Sequence, residues 1–322
     1  MTRYRVAVIG CGKVGALYER EAGRPKPASH AGAAVRDPRT ELVALADTSP
    51  TALARAKKLF PRARAYSSAS ECLQTERPDI AVIATPVSAR LSLVRLCLRY
   101  GVRAIICEKP LASSAVEAAK ITRAVERSDA AFVLNYPRRF APLFSRVRRA
   151  ITSGALGAVQ QVTCYYSNGL YNNGGHAIDS LLYLLGEDMK VRWAAVNKRA
   201  AHPPGDPCMD ATLETKKGAR VMLQSVDQKA YGIFDIRLFG TKGERSFIDY
   251  GTTLIEAAPR RSFFKEVRQL DRARARVHTS PEGNVLAETL KALAKKERPN
   301  GAKQGFTVLR TLDAIRHAAK KK

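Results

Sequence analysis

The sequence predicts an α/β protein in two parts: a doubly wound parallel sheet over residues 1–135, then an α+β domain built on a mainly antiparallel, open sheet over residues 136–322. Two observations predict this. Short all-apolar runs alternate with helical patterns in the first part, and strand-like stretches follow one another directly in the second.

In the first part, Val6-Ala7-Val8-Ile9 is an uninterrupted apolar run that ends in glycines. Leu42 to Ala46 ends at Asp47, Ile80 to Ala84 at Thr85-Pro86, Ala104 to Cys107 at Glu108-Lys109-Pro110, and Ala131 to Leu134 at Asn135. Runs that are apolar at every position suit strands covered on both faces. Between them, Ser88–Tyr100 sets Leu91, Val94 and Leu98 on one side and Arg90, Arg95 and Arg99 on the other. Ser113–Ser128 repeats the design.

Past residue 135 a helix is expected at Phe140–Ser153, closed by Gly154. Strands are expected at Val159–Tyr166, Val191–Asn197, Ala211–Thr215, Arg220–Val226 and Phe234–Phe239, punctuated by Lys217-Gly218 and Lys242-Gly243. A helix at His176–Leu185 interrupts them, and two more, Gly283–Lys296 and Lys303–Ala319, close the chain. Alternation sends Tyr165 and Tyr166 to opposite faces of their strand.

Composition narrows the function classes. A chain of 322 residues with 45% hydrophobic residues buries a sizeable core without disulfides or a structural metal. No apolar run reaches the roughly 20 residues that cross a bilayer, and the start of the chain does not have the order of a secretory signal. A cytoplasmic protein without membrane partners is expected. The net charge of +26 is high, yet it is +15 over residues 1–150 and +11 over the remainder, with no segregated basic arm. That spread reads as a cationic surface, or as a field drawing in an anionic substrate, and argues against specific nucleic-acid binding. The six cysteines show no CxxC pair and no metal-ligand spacing, so no metal is expected.

Gly10-Cys11-Gly12-Lys13-Val14-Gly15 follows the first strand and is expected to open a helix. In a GxGxxG turn the first glycine permits the tight bend, the second lets backbone approach a pyrophosphate, and the third allows close helix–strand packing. Asp47 closes the second strand, where a carboxylate accepts ribose hydroxyls and repels a 2′-phosphate. Its distance of 32 residues from Gly15 points to an insertion around Arg20–Ala33. No basic residue immediately follows Asp47, so NAD is preferred over NADP.

With GCGKVG, Ala44-Leu45-Ala46-Asp47, Ala84-Thr85-Pro86, Cys107-Glu108-Lys109-Pro110 and Gly174-Gly175-His176-Ala177-Ile178-Asp179 in place, the chain resembles the Gfo/Idh/MocA oxidoreductases over essentially its whole length. The resemblance implies a Rossmann domain, an NAD(P) cofactor, and hydride transfer on a sugar, inositol or nucleotide-linked sugar. It implies that Gly10, Cys11, Gly12, Lys13, Val14, Gly15, Asp47, Thr85, Pro86, Glu108 and Lys109 hold the cofactor. Lys109 would sit beside the nicotinamide and the reacting hydroxyl. Asn135, Arg139, Asn172 and Asp179 would meet the substrate. It further implies a homodimer or homotetramer built through the second domain.

Chemistry supports these roles. Oxidising a secondary alcohol needs a base for the hydroxyl proton and a cation against developing alkoxide charge. Lys109 lies at the carboxyl end of a strand, where open α/β sheets bind ligands. His176 combines a glycine-rich approach, Asn172-Asn173-Gly174-Gly175, with a helix start, and imidazole exchanges protons near neutral pH. Asp179 stands one turn later, placed to orient His176 or to bind a sugar hydroxyl. Arg138 and Arg139 either grip a carboxylate or phosphate or lie solvated at a helix start, whereas His30, His202, His278 and His317 read as structural or surface residues. Two positions depart from the family pattern. Asn172 replaces an aspartate common four residues before the histidine, and Arg90 replaces the histidine of TPxxxH. These departures motivate a second reading, a catalytically silent NAD- or sugar-binding sensor.

Overall fold

The computed structural model describes residues 3–320, which divide into two units. One comprises the described residues up to Asn135 with Val285–Phe306, the other Tyr136–Asn284 with the described residues from Thr307 on.

The first unit contains β1 (Tyr4–Ile9), α1 (His30–Arg36), β2 (Thr40–Ala46), α2 (Pro50–Leu59), β3 (Arg64–Tyr66), α3 (Ala69–Glu76), β4 (Ile80–Ile83), α4 (Arg90–Arg99), β5 (Ala104–Cys107), α5 (Ala115–Glu126) and β6 (Ala131–Leu134). The strands form one six-stranded sheet in the order β3-β2-β1-β4-β5-β6, and every pairing is parallel. Strands β4, β5 and β6 are buried at every position. This is why their sequences are apolar without alternation. Serine caps start the covering helices: Ser29, Ser49, Ser68 and Ser114 each accept the backbone N–H three residues on. Strand β3 lies outside the expected set because it is three residues long and exposes Arg64 and Ala65.

The second unit contains α6 (Pro142–Thr152), β7 (Val159–Tyr166), α7 (Gly175–Leu185), β8 (Met189–Val196), β9 (Met209–Thr215), β10 (Arg220–Ser225), β11 (Phe234–Gly240), β12 (Gly243–Ile248), β13 (Thr253–Ala257), β14 (Pro259–Arg261), β15 (Arg268–Leu270) and β16 (Arg276–Thr279). Eight strands form a sheet in the order β16-β13-β12-β11-β7-β10-β9-β8, antiparallel except for β7 with β10, and β14 pairs with β15 apart from it. Burial alternates along β9 and β10. On the covered face Phe144 of α6 stacks on Phe247 of β12 with ring centroids 4.1 Å apart. The opposite face leaves Trp193 40% exposed. The expected helix at Phe140–Ser153 starts instead at Pro142, after a 3₁₀ turn at Pro137–Phe140.

Two helices close the described chain, α8 (Val285–Ala294) and α9 (Gly301–Lys320). An uninterrupted second domain over 136–322 does not describe the molecule, because α8 and the start of α9 belong to the first unit. Helix α8 is apolar on the side that packs on β5 and β6, and Phe132 of β6 donates to the Pro299 carbonyl at 2.8 Å. At Gly301 a Cβ would stand 2.7 Å from the Leu134 nitrogen, so the chain returns close enough to exclude any side chain there. Among the described residues no helix is long and apolar enough to cross a membrane.

Candidate functional site

In the first unit, the candidate residues line the carboxyl edge of the parallel sheet. Gly10 leaves β1 with φ +97°, and a Cβ there would lie 2.6 Å from the Ala84 carbonyl oxygen. At Gly15 a Cβ would stand 1.9 Å from the Gly10 oxygen, whereas nothing lies within 4 Å of one at Gly12. The first and third glycines therefore close the turn, and the second leaves its backbone open to a ligand. This arrangement fits a dinucleotide pyrophosphate.

The turn does not open a continuous α-helix as expected. Ala16 and Leu17 donate to the Gly12 carbonyl and Tyr18 to Lys13, after which a 3₁₀ turn runs over Leu17–Arg20. The chain then makes an excursion and returns in α1, where His30 donates to the Val14 carbonyl at 3.1 Å and Ala31 to Gly15 at 2.9 Å. Helix α1 thus continues the first turn after a break. The excursion is held by Glu19, whose carboxylate accepts from Ala28 N and Ser29 Oγ, and pairs with Arg36. It accounts for the long spacing to Asp47.

Asp47 joins the ends of β1 and β2. Its Oδ2 accepts the Cys11 N–H at 2.7 Å and its Oδ1 the Ser49 N–H at 2.8 Å. After β4, the Thr85 Oγ1 is buried and has no protein partner among the described residues. Arg90 lies inside the protein with its residue 5% exposed. Its Nη2 donates to the Thr85 carbonyl at 3.1 Å, while Nε and Nη1 are buried without an acceptor among the described residues. Arg90, expected on the side of its helix opposite Leu91, Val94 and Leu98, is thus buried rather than solvent-facing.

Glu108, immediately before Lys109, is the best-anchored side chain of this edge. His30 Nε2 lies 2.8 Å and Asn135 Nδ2 2.6 Å from its Oε1, and the Lys109 N–H lies 3.2 Å from Oε2. Burial alone would raise this carboxyl, but the hydrogen bond and charge of His30, with the Asn135 amide, hold it below its ordinary value. Asn135, expected to meet substrate, gives its amide to Glu108. His30, expected to be structural or on the surface, is 8% exposed and bonded to that carboxylate. Its signal was available only as a histidine at the start of an apolar helix.

In the second unit, β7 ends at Tyr166, whose hydroxyl is fully buried and bonds both the Met209 carbonyl and the Met209 N–H. A π-helical turn over Gly169–Gly174 then runs into α7 and delivers His176. Tyr136 meets the His176 ring edge-on, with centroids 5.3 Å apart. Asp179 is fully buried, and Arg139 takes both of its oxygens, through Nε at 3.1 Å and Nη2 at 2.5 Å. The two were expected to meet the substrate. Instead each neutralises the other inside the fold, because an ionised carboxylate without water needs a partner of this kind. Arg138 is likewise internal. It lies 3.7 Å over the Phe234 ring and donates to the Tyr250 carbonyl at 2.9 Å.

All six cysteines are buried, and burial raises every thiol, Cys11 and Cys107 to about 12. Among the described residues, no group of three or more His, Cys, Asp and Glu side chains could hold a metal ion.

Residues 4–136 match the family described as oxidoreductase family, NAD-binding Rossmann fold. The rhizopine catabolism protein MocA of Rhizobium meliloti is 28% identical over 223 residues, 64% of this chain and 66% of its own length. An inositol 2-dehydrogenase of Rhizobium meliloti is 26% identical over 258 residues, covering 74% of each. Among solved structures, the WlbA dehydrogenase of Bordetella pertussis, in complex with NADH and UDP-GlcNAcA, matches with TM-score 0.75 at 20% identity over 99% of this chain and 97% of its own. KijD10, a 3-ketoreductase of Actinomadura kijaniata in complex with TDP-benzene and NADP, matches with TM-score 0.75 at 17% identity over 98% of each chain. At these identities the solved structures speak to the fold alone. Residues 4–136, which carry the phosphate-binding turn and the strand-end residues, match the Gfo/Idh/MocA oxidoreductase family, and the chain is similar beyond them to MocA and inositol 2-dehydrogenase.

Proposed function

We propose that this protein is an NAD(P)-dependent oxidoreductase that moves a hydride between nicotinamide and a hydroxyl-bearing carbon of a sugar, inositol or nucleotide-linked sugar, with NAD preferred. One observation carries the reading. Neighbouring strands β2, β1, β4, β5 and β6 are followed within two residues by Asp47, Gly10, Thr85, Glu108-Lys109 and Asn135, so ribose-, phosphate- and nicotinamide-binding chemistry follows one sheet edge in order.

A bound nicotinamide supplies the hydride acceptor or donor. Gly10, Gly12 and Gly15 shape the pyrophosphate turn, with Cys11, Lys13 and Val14 between them, and Asp47 takes the ribose hydroxyls and disfavours a 2′-phosphate. Thr85 and Pro86 flank the cofactor from β4. Lys109 donates to the substrate hydroxyl and stabilises alkoxide charge as it develops. His176 accepts the hydroxyl proton. Asn172 holds a neighbouring hydroxyl. MocA and inositol 2-dehydrogenase among the relatives support the substrate class. The face bearing Trp193 is assigned to a homodimer or homotetramer, and the location to the cytoplasm.

The test follows reduction of NAD, and of NADP in parallel, across inositols, free sugars, sugar acids and nucleotide-linked sugars. Lys109→Met should abolish turnover and leave NAD affinity within a few-fold, and retained turnover refutes the role. The alternative sensor reading rests on the amide at Asn172. It requires calorimetric NAD binding with no turnover across that panel.

A further inference from the structure

The approach to His176 is not held by its own helix. Four consecutive backbone N–H groups there, at Gly169, Leu170, Tyr171 and Asn172, have their acceptors on one distant tripeptide, Asp206-Pro207-Cys208, in the segment joining β8 to β9. Gly169 donates to Cys208 Sγ at 3.2 Å, and Leu170 donates to the Pro207 carbonyl at 3.1 Å. Tyr171 donates to Asp206 Oδ1 at 2.8 Å and Asn172 to Asp206 Oδ2 at 3.0 Å. These are the donors that a helical run leaves unsatisfied at its start. A carboxylate accepting two of them also carries the charge favoured at that end.

The fit is close on both sides. Gly169 has φ +87°, and a Cβ there would lie 2.3 Å from Asp206 Oδ2, so this position admits only glycine while Asp206 stays in place. The Asp206 N–H donates to the Pro203 carbonyl at 3.1 Å, which closes the loop carrying the carboxylate. A second tether acts on the same turn. The Tyr171 hydroxyl lies 2.6 Å from Asp313 Oδ1, and burial followed by that carboxylate pushes the phenol up to about 12.

We propose that Asp206 is a positioning residue for His176. By taking the N–H groups of Tyr171 and Asn172 it sets the phase of the helical run, and His176 follows four residues after Asn172 on that run. This rests on the proposed hydride-transfer reading, in which His176 moves the hydroxyl proton.

Asp206→Asn is the informative variant, since an amide presents one acceptor oxygen and turns its NH₂ against the remaining donor. In the full-length enzyme, kcat should fall about 10- to 100-fold, the loss expected of a slightly misplaced catalytic group. The KM for NAD should stay within a few-fold, because the dinucleotide residues lie in the other unit. Amide hydrogen exchange should accelerate at residues 170–173 and remain slow along β7 and β9. Asp206→Glu, which keeps two carboxylate oxygens, should recover part of kcat. Wild-type kcat with unchanged exchange in Asp206→Asn overturns the proposal. So does an equal loss in both variants accompanied by lowered NAD affinity, which would mark general damage. If the unmodified protein turns over no substrate in the panel, the functional reading fails by itself. Faster exchange at 170–173 in Asp206→Asn then still supports the clasp, and unchanged exchange removes it.

Discussion

The two units present their candidate residues by different means. In the first, Gly10, Asp47, Thr85, Lys109 and Asn135 stand within two residues of the end of a buried parallel strand, so the backbone ladder decides where they stand. In the second, Asn172 and His176 ride on a helical turn whose position depends on side chains from far along the chain: Asp206, Asp313 and, around Asp179, Arg139. A ladder spreads a perturbation over many hydrogen bonds. A side-chain clasp concentrates it in one or two, so single substitutions should act more sharply in the second unit.

The largest effect is expected where that dependence is deepest. Arg139→Ala leaves the fully buried Asp179 carboxylate without its partner, and breaking a buried pair costs about 3–5 kcal/mol. Chemical denaturation should show a loss of that size. A loss below about 1 kcal/mol would mean water or another donor reaches Asp179, and the contrast between the units would weaken.

Glu108 offers a milder test in the first unit. Its carboxyl is depressed in the folded state, so its contribution is present above the ordinary carboxylate range and disappears as pH falls through the depressed value. The stability gap between wild type and Glu108→Gln should be widest near neutral pH and narrow below about pH 4. A gap that stays constant on acidification would show that the charge of Glu108 is not what His30 and Asn135 hold.

The smallest structural effect is expected at Asp47, which is partly exposed. Asp47→Ser removes the charge facing a 2′-phosphate and should lower the NAD-to-NADP ratio of kcat/KM about tenfold or more. Loss of turnover with both cofactors in equal measure would instead make Asp47 chiefly the brace between Cys11 and Ser49.

What the amino-acid pattern reveals follows the same divide. Strand ends such as Asp47, Lys109 and Asn135 are legible because an all-apolar run stops at a polar residue, and the antiparallel sheet is legible from strands without intervening helices. The pairing of Arg139 with Asp179 and the bonding of Asn135 to Glu108 are not. Both depend on which polar side chains meet inside the fold, at separations of 40 and 27 residues. Asp206 sits in a Pro- and Gly-rich loop that reads as a connection, and only the folded chain brings it to Asn172. Helix α8 falls in the first unit against expectation because its apolar face shows that it packs, not on what.

The break between the phosphate-binding turn and α1 has a practical consequence. His30 and Ala31 bond back to Val14 and Gly15 as though residues 17–29 were not there, so the two ends of the excursion are already held side by side by the fold. Its length is decoupled from the geometry it leaves and rejoins. The exposed stretch near Gly23 is therefore a natural port. A fluorescent reporter spliced in there would sit a short way from the dinucleotide turn without lengthening any path inside the sheet.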